Sequence, residues 1–591
     1  QPSVELLQWA HATVRSRAEG EAVFARWFDA QGEVSETHTF ESLWQEAGRI
    51  AHELRVSWGL AKGDRAVLCY GFGLDFFAAF LGCLRAGVLA VPVYPPSPLT
   101  LSKSLAKLQG VVDACSPRVV LLSADVNRLR LASKLNFLSS ARRLWPDLPY
   151  ETLGSSAVSN TVGGEGEAGG GGQSSTWFGY GGDGGGAGVK CFDDDSLEED
   201  DVAFLQFTSG STSEPKGVMV TFANLMHNVT PEPRTLRNAK QQTFESRGFP
   251  EGERVRGFSW LPQYHDLGLI MCTLTPFVSG WRMGYMSPLD FVRRPLLWLR
   301  LLSAERALFG CVPDFSLRLC VRKWWVATPE TRASLSESVD LSDLKWIQNG
   351  AEPIRASSIR DFAATFAALG LSPAYAGTAY GLAEHVVGVC GQEANQGGLP
   401  LSDLSDEDLE CVGHVDYLSE GSQLAIVDPE TRREMPRGET GEVWLSSPSV
   451  AAGYWGRPEL TEEAFSARIA GEDGADSDDT TGPTFLRTGD LARVDAAGHI
   501  LICGRMKDLI IVRGRNLYPQ DVEFAVQEAC DLVRPGCVAA FSTSELGGEL
   551  EVVMEVRKSA EKDAAALLVG LEAMRRAVIA EGCYPSRLVR V

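Results

Sequence analysis

From Phe204 to Val220 the chain reads Phe-Leu-Gln-Phe-Thr-Ser-Gly-Ser-Thr-Ser-Glu-Pro-Lys-Gly-Val-Met-Val. The apolar run at its start has the make-up of a buried strand and stops at Thr208. Ser209, Gly210, Ser211, Thr212 and Ser213 follow, then Glu214, Pro215, Lys216 and Gly217. Small residues let backbone N–H groups approach an anion closely, hydroxyls add donors, and Lys216 brings a positive charge to the far edge of the turn. Pro215 limits the loop's freedom by fixing its own φ. The chemistry this suits is phosphate binding. It is not the Walker pattern, because no Gly precedes the Lys and no Ser or Thr follows it.

Other reactive groups recur downstream. His265 stands between Tyr264 and Asp266 in Ser259-Trp-Leu-Pro-Gln-Tyr-His-Asp-Leu-Gly-Leu-Ile270, with apolar segments on both sides, which suits a cleft wall. Trp346-Ile-Gln-Asn-Gly-Ala-Glu-Pro353 reads as a strand running into a Gly-containing turn, the kind of strand end at which α/β folds bind ligands. Ala379-Tyr-Gly-Leu-Ala-Glu-His385 offers an aromatic ring, Tyr380, that can stack on a base. It also offers a carboxylate, Glu384, that is a hard oxygen ligand for Mg²⁺. Asp490 follows a tight turn in Phe485-Leu-Arg-Thr-Gly-Asp-Leu491.

Positioning such groups needs a scaffold. The 591 residues are too many for one core and imply at least two domains. Phe40 to Leu54 keeps an apolar helical face at 40, 43, 47, 50, 51 and 54. Gly63–Tyr70 reads as turn and strand, Leu74–Ala86 as helix, Gly87–Tyr94 as strand, and Val119–Ser123 as a continuation of the same sheet. Strand, helix, strand at this spacing is a βαβ unit in a parallel sheet. Pro295–Leu302 and Cys311–Cys320 read as buried apolar helices. Short alternating strands over 413–500 predict a small β-barrel subdomain, and residues 507–591 read as strand, Pro519-initiated helix, strand and helix. The expected architecture is α/β: a large domain, 1–506, followed by a small one, 507–591.

A net charge of −22 argues against a broad nucleic-acid or anionic-membrane surface. Thirteen scattered Cys without a C-x-x-C pair fit reduced thiols in a cytoplasmic setting and disfavour a zinc site. No run of eighteen apolar residues suggests a membrane span. Residues 154–190 switch to Gly, Ser and Glu and read as a disordered insertion. Its Gly164-Glu-Gly-Glu-Ala-Gly169 match to a dinucleotide fingerprint has no strand before it or helix after it and is read as accidental.

The phosphate-loop spelling resembles the adenylate-forming superfamily of acyl-CoA synthetases, luciferases and peptide-synthetase adenylation domains. Ser213 in place of the usual Gly, residues 73–96 and Trp260–Ile270 are most similar to fatty acyl-AMP ligases. The resemblance implies that Thr208, Ser209, Gly210, Ser211, Thr212 and Lys216 hold the ATP phosphates and that Thr208 and Glu384 meet Mg²⁺. It implies that Gly350, Ala351, Glu352, Pro353, Tyr380 and Gly381 flank adenine, and that Asp490 takes the ribose. Arg505 becomes a nucleotide contact, Lys507 a hinge, and His265 a neighbour of the acyl carboxylate. Asp314, where Asn is usual, would border the acyl tunnel and alter its polarity.

The implied reaction forms acyl-AMP and pyrophosphate from a fatty acid and ATP. The acyl group then passes to the phosphopantetheine thiol of an acyl carrier protein, as in the loading module of a larger synthase. Long-chain acyl-CoA ligation and a non-catalytic acyl- or nucleotide-binding module remain compatible with the same residues. A short Glu384–Gly413 interval leaves CoA rejection open. Without the Ser-Gly-Lys segment that follows in the family, the small domain reads as truncated.

Overall fold

Arg65–Cys69 and Val119–Leu122 consist almost wholly of apolar residues, and both strands are buried nearly throughout. Continuous apolar strands of this kind belong inside parallel sheets covered on both faces. The computed structural model describes residues 4–18, 22–135, 145–152, 191–208, 215–229, 255–393, 401, 404–419, 421–470, 482–512, 515–542, 550–557, 564–580 and 587–590. The Gly-rich segment 154–190, apart from its surroundings, and the loop residues Ser209–Glu214 lie outside the described residues.

The chain divides into two compact units. The first comprises Gln1–Glu410, Tyr417–Ser422 and Ser447–Ser466. It contains a six-stranded sheet in the order Tyr150–Thr152, Val119–Leu122, Arg65–Cys69, Leu89–Pro92, Val202–Thr208, Lys216–Thr221. All neighbours in it are parallel except the last pair, a hairpin. An eight-stranded sheet runs Gly388–Glu393, Ala376–Gly381, Trp346–Asn349, Phe309–Val312, Arg256–Ser259, Arg282–Met286, Val23–Phe28, Val34–Thr39. It is parallel inside and antiparallel at both edges.

The predicted βαβ unit is present. Its helix, Asp75–Ala86, is buried on every side from Phe76 onward, as a helix apolar all round must be. Gly87 ends it in the left-handed region at φ 63°, its N–H returning to the carbonyls of Cys83 and Leu84. The neighbouring helix Phe40–His52 starts at a capping box between Thr39 and Ser42.

One expected helix begins later than its apolar pattern suggests. Within Cys311–Cys320 the first two residues finish the strand Phe309–Val312, and the helix spans Asp314–Val326. Pro313 decides this: it pushes the residue before it out of the helical region and is itself suited to the start of a helix.

The second unit comprises Cys411–Asp416, Gln423–Ser446 and Ala467–Val591. The short strands expected over 413–500 form a five-stranded antiparallel sheet, ordered Gly413–His414, His499–Arg505, Leu486–Val494, Gly441–Ser446, Gln423–Val427. The C-terminal stretch contributes a three-stranded sheet of Val533–Ser542, Leu550–Val556 and Arg587–Arg590 with helices Pro519–Ala529 and Ala564–Ala580. The expected boundary at 506/507 falls inside this unit. Gln520 ties across it by donating to the Cys503 carbonyl at 2.8 Å.

In the first unit, the residues marked out by chemistry sit just past the carboxyl ends of parallel strands. Thr208 ends one sheet's strand. His265, Asp314, Gly350 and Glu384 follow the strands ending at Ser259, Val312, Asn349 and Gly381. Ligands bind open α/β sheets at such ends.

Candidate active site

The phosphate-loop strand and its return strand pair in register, Thr208 opposite Lys216. Both ends of the loop are therefore fixed, although Ser209, Gly210, Ser211 and Thr212 lie outside the described residues. The Lys216 ammonium stands 4.9 Å from the centroid of the Tyr454 ring, a cation–π contact.

Tyr454 belongs to a segment, 451–455, stitched to the return strand by backbone bonds. Met219 N–H donates to Gly453 O at 2.8 Å, Ala452 N–H to Met219 O at 2.9 Å, and Trp455 N–H to Gly217 O at 2.8 Å. The same segment reaches Glu384 twice. Ala451 N–H donates to the Glu384 carbonyl at 2.9 Å, and the Tyr454 hydroxyl donates to Glu384 Oε1 at 2.9 Å. Burial, with the Glu384 charge beside it, pushes the Tyr454 phenol well above its ordinary pKa, so it stays a donor. Lys216, Tyr454 and Glu384 form one connected group.

Glu384 sits on the short 3₁₀ turn Ala383–His385. Directly after it, buried Val386 adopts φ 64°, ψ −65°, and Val387 N–H closes onto the His385 carbonyl at 2.7 Å. This is a γ-turn of the rare, strained hand, here at a β-branched residue. Asn228 holds the turn by donating to the carbonyls of His385 and Gly388 at 3.2 and 3.0 Å. Gly381 is required nearby, since a Cβ there would lie 1.8 Å from Val387 O. His385 is buried against the Gly388 carbonyl, and burial drives its pKa down from 6.5 to about 4.

Strands Trp346–Asn349 and Ala376–Gly381 are parallel neighbours with Asn349 opposite Thr378. The turn Gly350-Ala351-Glu352-Pro353 therefore leaves the sheet beside Tyr380, whose side chain is buried. Ala351 takes φ 66°, an uncommon conformation for a residue with a Cβ. Asp314 underpins the turn. Fully buried, it accepts from Asn349 Nδ2 at 3.0 Å, Arg355 N at 3.2 Å and Ser358 Oγ at 2.7 Å, and pairs with Arg318 at 3.3 Å. The carboxylate of Asp314, expected to alter the polarity of an acyl tunnel, is engaged by the turn. Glu352 accepts from the Phe315 N–H. Burial raises the pKa of Glu352, against that hydrogen bond.

His265 closes the turn after Arg256–Ser259, its N–H donating to the Pro262 carbonyl at 3.2 Å. Its Nδ1 lies 2.7 Å from Asp266 Oδ1, and its side chain is 55% exposed. Partial burial works to lower the imidazole pKa, but the bond to Asp266 and its charge outweigh that and leave it raised. Gln206, buried in the phosphate-loop strand, donates to the Tyr264 carbonyl at 3.1 Å and links this turn to that strand.

Asp490 and Arg505 lie in the second unit, opposite one another on antiparallel strands, with Nε to Oδ1 at 3.3 Å. The turn before Asp490 rests on Glu442, only 1% exposed. Glu442 accepts from Gly489 N at 3.1 Å, Trp444 Nε1 at 2.9 Å and Arg487 Nε at 3.0 Å. Gly489 takes φ 71° there.

Sequence reasoning assigned no role to Tyr454, Gln206 or Glu442. For Gln206 and Glu442 the signal was a polar side chain amid a buried strand, which needs a partner, whereas Tyr454 lies outside the strands and its segment could be read only as fitting the superfamily pattern. Among the described residues no cluster of three or more His, Cys, Asp or Glu is disposed to hold a metal ion.

Residues 12–455 match the AMP-binding enzyme family. The chain is 32% identical over 541 residues to the medium-chain-fatty-acid–acyl-carrier-protein ligase JamA of Moorena producens, covering 89% of this chain and 81% of that protein. It is 31% identical over 508 residues to the long-chain-fatty-acid–AMP ligase FadD32 of Mycolicibacterium smegmatis, covering 81% and 70%. It is also similar to a fatty acyl-adenylate ligase from L. pneumophila solved with acyl adenylate and pyrophosphate. There the TM-score is 0.66 at 29% identity, over 99% of this chain and 93% of that one. The chain belongs to the AMP-binding enzyme family. Its mixed α/β fold is the one expected for adenylate-forming enzymes.

Proposed function

We propose that this protein activates a fatty acid as acyl-AMP, releasing pyrophosphate, and hands the acyl group to an acyl-carrier-protein thiol. The observation that carries the reading is the connected Lys216–Tyr454–Glu384 group, a phosphate-binding cation and a hard carboxylate held together at a strand end.

In this reading the carboxylate attacks the α-phosphorus while Thr208, Ser209, Gly210, Ser211, Thr212 and Lys216 hold the phosphates. Catalysis is then positioning and charge neutralisation, without a covalent enzyme intermediate. His265, its charged form favoured by Asp266, donates to the acyl carboxylate and orients it. Gly350, Ala351, Glu352 and Pro353 flank adenine together with Tyr380 and Gly381. Asp490 accepts from the ribose hydroxyls, and Arg505 contacts the nucleotide.

A Mg²⁺ ion suits the donors present. Such ions take one or two carboxylates plus substrate phosphates rather than an all-protein cage, and Glu384 with Thr208 meets that need. When bound, the ion neutralises phosphate charge. The free thiols among the described residues suit a cytoplasmic reaction, and no helix among them is long and apolar enough to cross a membrane.

The test is mass-spectrometric detection of acyl-AMP with ATP and fatty acids of graded length, followed by addition of either holo carrier protein or CoA. Acyl transfer to the carrier alone is expected. AMP release driven by CoA would favour the acyl-CoA ligase alternative, and absence of any acyl-AMP would count against adenylation.

A further inference from the structure

The segment 451–455 acts on both halves of the candidate phosphate and metal site, yet touches each through a different part of Tyr454. Its hydroxyl holds Glu384 Oε1 at 2.9 Å, leaving Oε2 of the same carboxylate for a cation. Its ring face receives the Lys216 ammonium at 4.9 Å, an arrangement that leaves N–H donors for an anion. Neither contact depends on a loose tether. The Tyr454 N–H donates to Thr461 Oγ1 at 2.9 Å, and the flanking residues are bonded to Gly217, Met219 and the Glu384 backbone. The ring edge packs on Phe465, centroids 5.2 Å apart, and the side chain is nearly buried. On the other side, the strained turn at Val386 and the clamp from Asn228 fix the backbone that presents Glu384.

We infer that Tyr454 is the positioning residue of this site: its hydroxyl aims the Glu384 carboxylate at the metal, and its ring holds the Lys216 ammonium at the phosphate side. The inference rests on the adenylation reading above. An outer partner that orients a ligating carboxylate is worth about 10- to 100-fold in metal affinity. A single cation–π contact at a partly exposed site is worth about two- to five-fold.

The two arms separate by mutation. Tyr454→Phe keeps the ring and loses the hydroxyl, whereas Tyr454→Leu loses both. Binding of α,β-methylene-ATP to the whole chain is measured by calorimetry, once with Mg²⁺ and once with EDTA, and folding is checked by circular dichroism. The expected result is that Tyr454→Phe binds about 10- to 100-fold more weakly with Mg²⁺ and within about twofold of wild type in EDTA. Tyr454→Leu should lose a further two- to five-fold or so under both conditions. Equal weakening of Tyr454→Phe with and without Mg²⁺ would make the hydroxyl merely structural and overturn the inference, as would wild-type affinity in both. A wild-type protein that binds the analogue under neither condition would contradict the adenylation reading itself, a result distinct from a failure confined to the variants.

Discussion

Two of the candidate-site groups that set a carboxylate beside a cation are built differently. Lys216, Tyr454 and Glu384 in the first unit are joined by a buried hydroxyl, a ring face and several backbone bonds. Asp490 and Arg505 in the second unit form a direct ion pair whose arginine is 60% exposed. Stability there comes from beneath, where buried Glu442 collects donors from Gly489, Trp444 and Arg487. Exposed ion pairs contribute little, about 0–1 kcal/mol, so an exposed arginine is free to change partner. A group held by a buried tyrosine and several backbone bonds keeps one geometry. The first arrangement suits a site that must stay preorganised, and the second suits a contact that can be made and released.

Mutations break this comparison in a graded way. Glu442→Ala removes the buried acceptor under Asp490 and leaves the Arg487 guanidinium without its carboxylate. Urea denaturation should report a loss of about 3–5 kcal/mol, as for breaking a buried pair. Glu384→Gln keeps the shape of the first site but removes the charge. Pyrophosphate release with a fatty acid should fall about 10²- to 10³-fold, while binding of a metal-free acyl-adenylate analogue stays within a few-fold.

His385 sharpens the contrast through pH. Its folded pKa is depressed, so the unfolded chain binds a proton that the folded chain does not between 6.5 and about 4. The stability it contributes is complete above pH 6.5 and is lost as pH falls through that window, on the order of 3 kcal/mol. His385→Asn should flatten that part of the stability–pH profile measured by denaturation. The smallest effect belongs to the exposed pair: Arg505→Ala should change folding stability by less than about 1 kcal/mol, while weakening nucleotide binding.

Much of the first unit was legible because its signals are local. The helix Asp75–Ala86 and its flanking strands follow from apolar periodicity and Gly87, and the strand Val202–Thr208 follows from its apolar run. Pro313 shows where periodicity alone misleads, since the apolar pattern runs through a strand end into a helix. Asp314 shows a different limit. Its partners Asn349, Arg355 and Ser358 are far along the chain, and only the fold reveals that they use up its carboxylate. Tyr454 was hidden for the same reason, because Lys216 and Glu384 meet it only through tertiary pairing. The strain at Val386 leaves no mark in sequence, where two valines simply read as apolar.

The most direct test of the adenylate site is a thermal shift with non-hydrolysable acyl-sulfamoyl adenosines from acetyl to long acyl. Binding to the native state alone stabilises by RT ln(1 + [L]/Kd), about 2.7 kcal/mol at 100 times Kd. A shift that grows with chain length is the predicted result, since it requires a nucleotide pocket and an acyl site together. No shift with any analogue, from protein that is demonstrably folded, would contradict the account.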